Sequence, residues 1–219
     1  MRTSVVVLVL ALAAGCFTRT AAEPRFFRPD SALLGDVQAG DPQPAPLQPM
    51  RVVRLRAVDG APFLGERVVW RSSALEYGFY EQRRWHELPA SYVERALLAA
   101  FRKSARVRVA EDMHVPSLRI VVSAFDDVLA PKHVASVEAT ASLRDVHGEL
   151  LLERPFAAEV AIGGDDPATM AMAMGGALDM VATQIADAVA DAAPPLPDVT
   201  SPVKRPARNA RPSRSGGRS

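Results

Sequence analysis

Three segments in the middle of the chain place apolar residues at every second position: Leu118-Ile120-Val122-Ala124, Ala135-Val137-Ala139-Ala141-Leu143 and Phe156-Ala158-Val160-Ile162. Successive side chains of a strand point to opposite faces, so a period of two gathers the apolar groups of each segment on one side. Strands buried on one face only imply an antiparallel sheet, since doubly covered parallel strands read as continuous apolar runs. Something apolar must then cover that single face. Two helical patterns can do so. Pro89 suits a first turn, and Tyr92, Val93, Ala96, Leu97, Ala100 and Phe101 recur every three or four residues to about Ser104. Asp166 reads as an N-cap ahead of Pro167, and Met170, Met174, Leu178, Val181, Ile185 and Val189 continue at the same spacing. The expected fold is α+β: a mostly antiparallel sheet with two amphipathic helices packed on one face. Methionines at helical spacing are read as core in preference to a soft groove for lipid or a partner.

Further strands precede the first helix. Val53, Leu55 and Ala57 alternate with Arg54 and Arg56 in the segment from Met50 to Val58, with a turn expected at Asp59-Gly60. Val68 to Arg71 and Leu75 to Tyr80 suit a hairpin or bulged pair around Ser72-Ser73, and Asp145 to Gly148 supplies a turn between the last two alternating strands.

The two ends have a different character. Met1-Arg2 and the apolar run Val5 to Ala14 form a basic n-region and a short h-region, too short for the roughly 20 residues a spanning helix needs. The run ends in Leu12-Ala13-Ala14-Gly15-Cys16, which resembles the bacterial lipobox, although Ala13 stands where that motif prefers Leu. That resemblance implies a lipoprotein signal over residues 1–15 and acylation of Cys16, the single cysteine of the chain. The alternative is an ordinary secretory signal cleaved nearby, for instance after Ala22, which discards Cys16. Phe17 follows the cysteine; by resemblance to lipoprotein sorting in enteric bacteria, the lack of Asp there favours the outer membrane. Residues 16–49 then read as an acylated cysteine and a Pro-rich tether, with Phe26-Phe27 as an early strand laid on the core. The domain itself is expected over residues 50–193, and residues 194–219 as a basic disordered tail.

Charge follows the same division. The tail has six basic residues, Lys204 to Arg218, against Asp198, a net of five positive charges. Residues 17–193 hold nineteen basic and twenty-four acidic residues, a net of five negative charges. A folded body of that sign is a poor nucleic-acid binder. The tail admits a weak electrostatic contact with an anionic lipid or polymer, or simple solvation.

Chemistry is sparse. A lone cysteine rules out an intramolecular disulfide and a Cys-based zinc site. His86, His114, His133 and His147 lie far apart and read as solvated or turn residues, and Asp126-Asp127 reads as a solvated loop at a strand end in preference to a cation site. No GxSxG, P-loop or GxGxxG pattern occurs. No cofactor, metal or enzymatic activity is expected.

One constellation remains. Val69-Trp70-Arg71, Leu75-Glu76-Tyr77, Tyr80 and Arg84-Trp85-His86-Glu87-Leu88-Pro89 lead into the first helix. In order and spacing, together with the alternating strands and the final helix, these residues resemble the ABC-type transport auxiliary lipoprotein family (PqiC-like) over about residues 50–192. His86 stands where a small residue is commoner in the family, and Phe26-Phe27 replaces an early Tyr pair. The resemblance implies a non-catalytic periplasmic lipoprotein of an MCE-type ABC system that moves phospholipid or other hydrophobic molecules between the two membranes. Its partners would be the outer membrane, through the lipid anchor, an MCE-family periplasmic protein, and copies of itself in a homo-oligomeric ring. Tyr77, Phe79, Tyr80, Arg84 and Trp85 are the candidate partner surface, because aromatic and Arg anchors are enriched at interface hot spots. The competing reading makes Trp70 and Trp85 structural, burying large areas with each indole N–H finding one partner. The rival functions are a structural envelope lipoprotein that binds an anionic polymer or membrane, and an envelope hydrolase.

Overall fold

The computed structural model describes residues 22–35 and 50–195. Along them run β1 (Arg25–Phe27), α1 (Ala32–Gly35), β2 (Arg51–Gly60), β3 (Arg67–Arg71), β4 (Tyr77–Trp85), α2 (Pro89–Ser104), β5 (Val107–Val109), β6 (Ser117–Val128), β7 (Val134–Arg144), β8 (Leu150–Ala161) and α3 (Pro167–Ala192). β6 is the axis of the sheet. One of its edges pairs antiparallel with β7 from Ser117↔Arg144 to Val128↔Val134, and β7 pairs antiparallel with β8. Its other edge is shared by two parallel strands, β2 along Ser117 to Val122 and β3 along Asp126 to Val128. β4 lies antiparallel to β3, and the short β1 and β5 add parallel pairings to β4 and β2. The long ladders are thus the antiparallel ones that the alternation implies. β5, at three residues, is too short to display a period.

Both long helices lie on one face, α2 over β2, β5 and β6 and α3 over β7 and β8, and they touch each other. Leu97, Phe101, Met170, Met174, Leu178 and Ile185 are fully buried against Leu118, Ile120 and Leu143, so the methionine stripe is core. Asp166 caps α3, its carboxylate accepting the Ala168 N–H at 3.1 Å.

Two strands run further than the sequence reading. β2 continues through Gly60, and the turn falls instead at Ala61 to Leu64, where the Leu64 N–H meets the Ala61 carbonyl at 2.8 Å. β6 runs four residues past Ala124, because a bulge between Val122 and Ala124 shifts the phase of the pleat. Before it, even-numbered residues face the helices; after it, Phe125 and Asp127 do, opposite Val137 and Ala135. Asp126 and Asp127 are therefore strand residues, 5% and 1% exposed, and the expected solvated loop is corrected.

The boundary expected at residue 50 also shifts. β1 pairs with β4 as Phe26↔Arg84 and Phe27↔Trp85, as the Phe26-Phe27 pattern suggested. The chain then crosses onto α3, where the Asp30 N–H donates to the Ala171 carbonyl at 3.1 Å and Asp179 accepts from the Ser31 hydroxyl and the Ala32 N–H. Gly175 makes the crossing feasible: a Cβ there would stand 2.0 Å from the Asp30 carbonyl oxygen. Residues 25–35 are thus a strap on the body, not tether. At the other end Pro195 bridges to Arg51. The expected signal segment 1–15, Cys16, the proline run of 36–49 and the tail from residue 196 lie outside the described residues.

Candidate functional site

The pleat of β4 distributes the candidate surface residues over two faces. Trp85 is 1% exposed and sits among rings, 5.1 Å from Phe125 edge-on and 6.4 Å from Tyr92, while Tyr92 and Phe125 stack at 6.3 Å. Its place on a partner surface is corrected: register with Phe27 and the last turn before α2 turn the indole inward. The indole N–H finds no acceptor among the described residues, contrary to the expected single partner. An orphan of this kind costs about 1–3 kcal/mol, which the burial of the ring offsets.

Tyr80 faces inward too. Its hydroxyl donates to Asp127 at 2.8 Å, His133 Nε2 lies 2.9 Å from the other carboxylate oxygen, and Arg83 approaches at 3.7 Å while stacking 4.0 Å over the Tyr80 ring. Burial first, and then the bond to Asp127, raise the Tyr80 hydroxyl above the ordinary tyrosine range, so it stays a donor. A carboxylate beside an imidazole can orient a general base. Among the described residues, however, no hydroxyl or thiol hydrogen-bonds to His133, and the group fastens the turn of residues 129–133 to β4. The sequence implies a solvated His133; only the fold brings it to Asp127. His86, His114 and His147 are exposed as expected.

Asp126 points the other way. Its carboxylate accepts the Phe125 N–H at 3.1 Å, and Arg71 lies 3.7 Å from it and 3.8 Å from Glu138. Burial raises the Asp126 carboxyl above the usual carboxylate range; the Phe125 N–H and Arg71 pull it partly back.

The helix-free face carries the remaining candidates. Tyr77 and Phe79 meet edge-on at 6.3 Å, and Phe63, from the turn after β2, lies 5.4 Å from Tyr77. The Arg67 guanidinium stacks 4.3 Å over Phe79, and Arg67 and Arg84 are directly paired across β3 and β4. Pro62, Phe63, Glu66, Arg67, Phe79 and Arg84 border an open groove of about 500 Å³. Tyr77, Phe79 and Arg84 are thus brought together, and Tyr80 and Trp85 are separated from them. Phe63 and Arg67 escape a sequence reading because one lies in an aperiodic Pro/Gly turn and the other begins a short strand. An aromatic beside Pro62 is the one available signal.

The fold is an α+β module with its two long helices on one face of the sheet and a groove between arginines and rings beside the turn after β2. The ABC-type transport auxiliary lipoprotein component family matches residues 33–186, well over half of the sequence. The chain belongs to that family, as the Arg84-Trp85 stretch suggested. A crystal structure of protein XCC0632 from Xanthomonas campestris superposes with a TM-score of 0.63 at 19% identity, over 77% of this chain and 96% of that one. A second solved structure, of an uncharacterized protein, gives 0.56 at 18% identity, over 77% and 99%. These likenesses establish the fold. No curated protein sequence matches significantly. Membership makes the chain a lipoprotein accessory of an ABC transport system at the cell envelope.

Proposed function

We propose that the chain is a non-catalytic docking component of an MCE-type ABC system that carries phospholipid or other hydrophobic molecules between the inner and outer membranes. The observation that carries this reading is the family match over residues 33–186, in a chain whose leader ends in a lipobox-like Leu12 to Cys16. Acylated Cys16 holds the protein on the periplasmic side of the outer membrane; several acyl chains at about 0.8 kcal/mol per buried CH₂ make that attachment stable. The proline run sets the reach, and tethering raises the effective concentration of the docking domain without adding contacts. The domain meets the MCE protein, and several copies assemble as a ring. The polar cluster at Asp127 supports a non-catalytic role because each of its members is engaged in holding β4 to the turn after β6.

The test joins anchor to partner. Labelled palmitate enters the wild-type chain and not Cys16→Ser, the wild type fractionates with outer membrane, and the MCE protein co-isolates with it. A mature N-terminus at Glu23, or turnover of phospholipid or peptidoglycan lost on changing one polar residue, contradicts the proposal.

A further inference from the structure

Two arginines face each other on the bare side of the sheet, and no acid among the described residues pairs with either. Arg67 and Arg84 are cross-strand partners of β3 and β4, an arrangement in which like charges repel. Other arginines of the same sheet are neutralised: Arg71 has Asp126 and Glu138, Arg83 has Asp127, and Arg119 has Asp59. Arg67 instead lies on the Phe79 ring, and Arg84 has a buried Nη1 without a hydrogen-bond partner. Glu66 borders the same groove and forms an ion pair with neither arginine. Around this pair stand exposed rings: Tyr77 at 57%, Phe63 at 37%, and Phe26, the register neighbour of Arg84, at 58%. Single exposed aromatics need no explanation, but aromatic and Arg side chains clustered at one groove have the make-up of a binding hot spot.

We propose that this groove binds an acidic peptide segment of a partner protein, a carboxylate bridging Arg67 and Arg84 while a neighbouring apolar side chain seats against Phe63 and Phe79. The charge requirement follows from the unanswered pair: a carboxylate accepts forked guanidinium N–H bonds and removes the repulsion at once. The apolar requirement follows from the rings. A peptide fits better than a lipid, because the charged side chains of Glu66, Arg67 and Arg84 line the groove beside Phe63 and Phe79, whereas acyl chains call for an enclosed apolar lining. Phe26, paired with Arg84, places β1 at the rim, so the occupant meets β1 as well as β4. This inference rests on the reading of the chain as a docking component and names the surface and chemistry of the dock.

The test places the photoreactive analogue p-benzoylphenylalanine at Phe63 in the full chain in its native envelope, with a control at Met172 on the exposed side of α3. The expected result is one protein adduct from position 63 and none from 172, with a cross-linked peptide that contains Asp or Glu. Arg67→Glu with Arg84→Glu should reduce the adduct by about tenfold or more, the equivalent of losing one charged anchor, and Lys in place of the partner's acid should restore it. Arg67→Gln with Arg84→Gln gives the same loss without charge reversal and serves if the double Glu variant misfolds. A lipid adduct, an adduct with a second copy, no adduct, or an adduct indifferent to the arginines overturns the proposal. Co-isolation of the MCE protein without a Phe63 adduct refutes this groove and leaves the docking role standing; an acid-bearing adduct from a protein outside transport does the reverse.

Discussion

On the helix-covered side of β4, Arg83 stacks on Tyr80 and reaches the buried carboxylate of Asp127, whereas one residue later, on the bare side, Arg84 faces another arginine. The same contrast holds for aromatics: Trp85 lies within a ring cluster at 1% exposure, and Tyr77 stands at 57%. A strand that alternates its side chains can give one face to stability and keep the other for recognition. Apart from the Trp85 indole N–H, the polar groups described on the covered face are paired, because burial without a partner is costly; the exposed Arg67 charge can stay unanswered because water screens it until a partner arrives.

The largest effect expected is for Trp85→Ala, at about 3–5 kcal/mol of lost stability in denaturant unfolding, against under about 1 kcal/mol for Tyr77→Ala. Comparable losses for the two would break the contrast. Next is Asp127→Ala, which strips Tyr80, His133 and Arg83 of their common partner; it should cost about 3 kcal/mol and speed hydrogen exchange in residues 129–133, with Asp127→Asn milder. Gly175→Ala should displace the strap from α3, seen as faster proteolysis between residues 25 and 35, at about 1–2 kcal/mol. Smaller still is a pH effect. Burial raises Asp126, so the native state holds its proton above 3.8, where the unfolded chain releases it. Stability then falls as pH rises through that window, by linkage. Asp126→Asn should melt slightly higher than wild type at neutral pH, and the advantage should vanish under acid conditions where both states are protonated. A gap independent of pH contradicts the assignment.

Much of the covered face was legible in the sequence. Leu118 to Val122, Ala135 to Leu143 and the two helical stripes are governed by a period that burial enforces, and periods survive in sequence. Their continuation was hidden by the bulge after Val122, which turned Asp127 inward and made two strand residues resemble a loop. The bare face has no such rule. Phe63, Arg67, Phe79 and Arg84 come from a turn and two strands, and only the pairing of β3 with β4 assembles them. Tyr77, Phe79 and Arg84 could be singled out by residue type, yet type alone could not tell them from Tyr80 and Trp85, whose direction depends on the irregular pairing between Arg67 and Val69.

The most direct measurement uses the pair Arg67→Gln and Arg84→Gln, introduced together and followed by thermal unfolding and by restoration of envelope integrity in a strain lacking the gene. Removing two facing like charges from an exposed strand pair should leave the melting temperature unchanged or slightly raised, within about 0.5 kcal/mol of wild type, while the strain is not restored. Full restoration, or a fall in stability approaching that of Trp85→Ala, would contradict the division of the sheet into a face that builds the fold and a face that meets a partner.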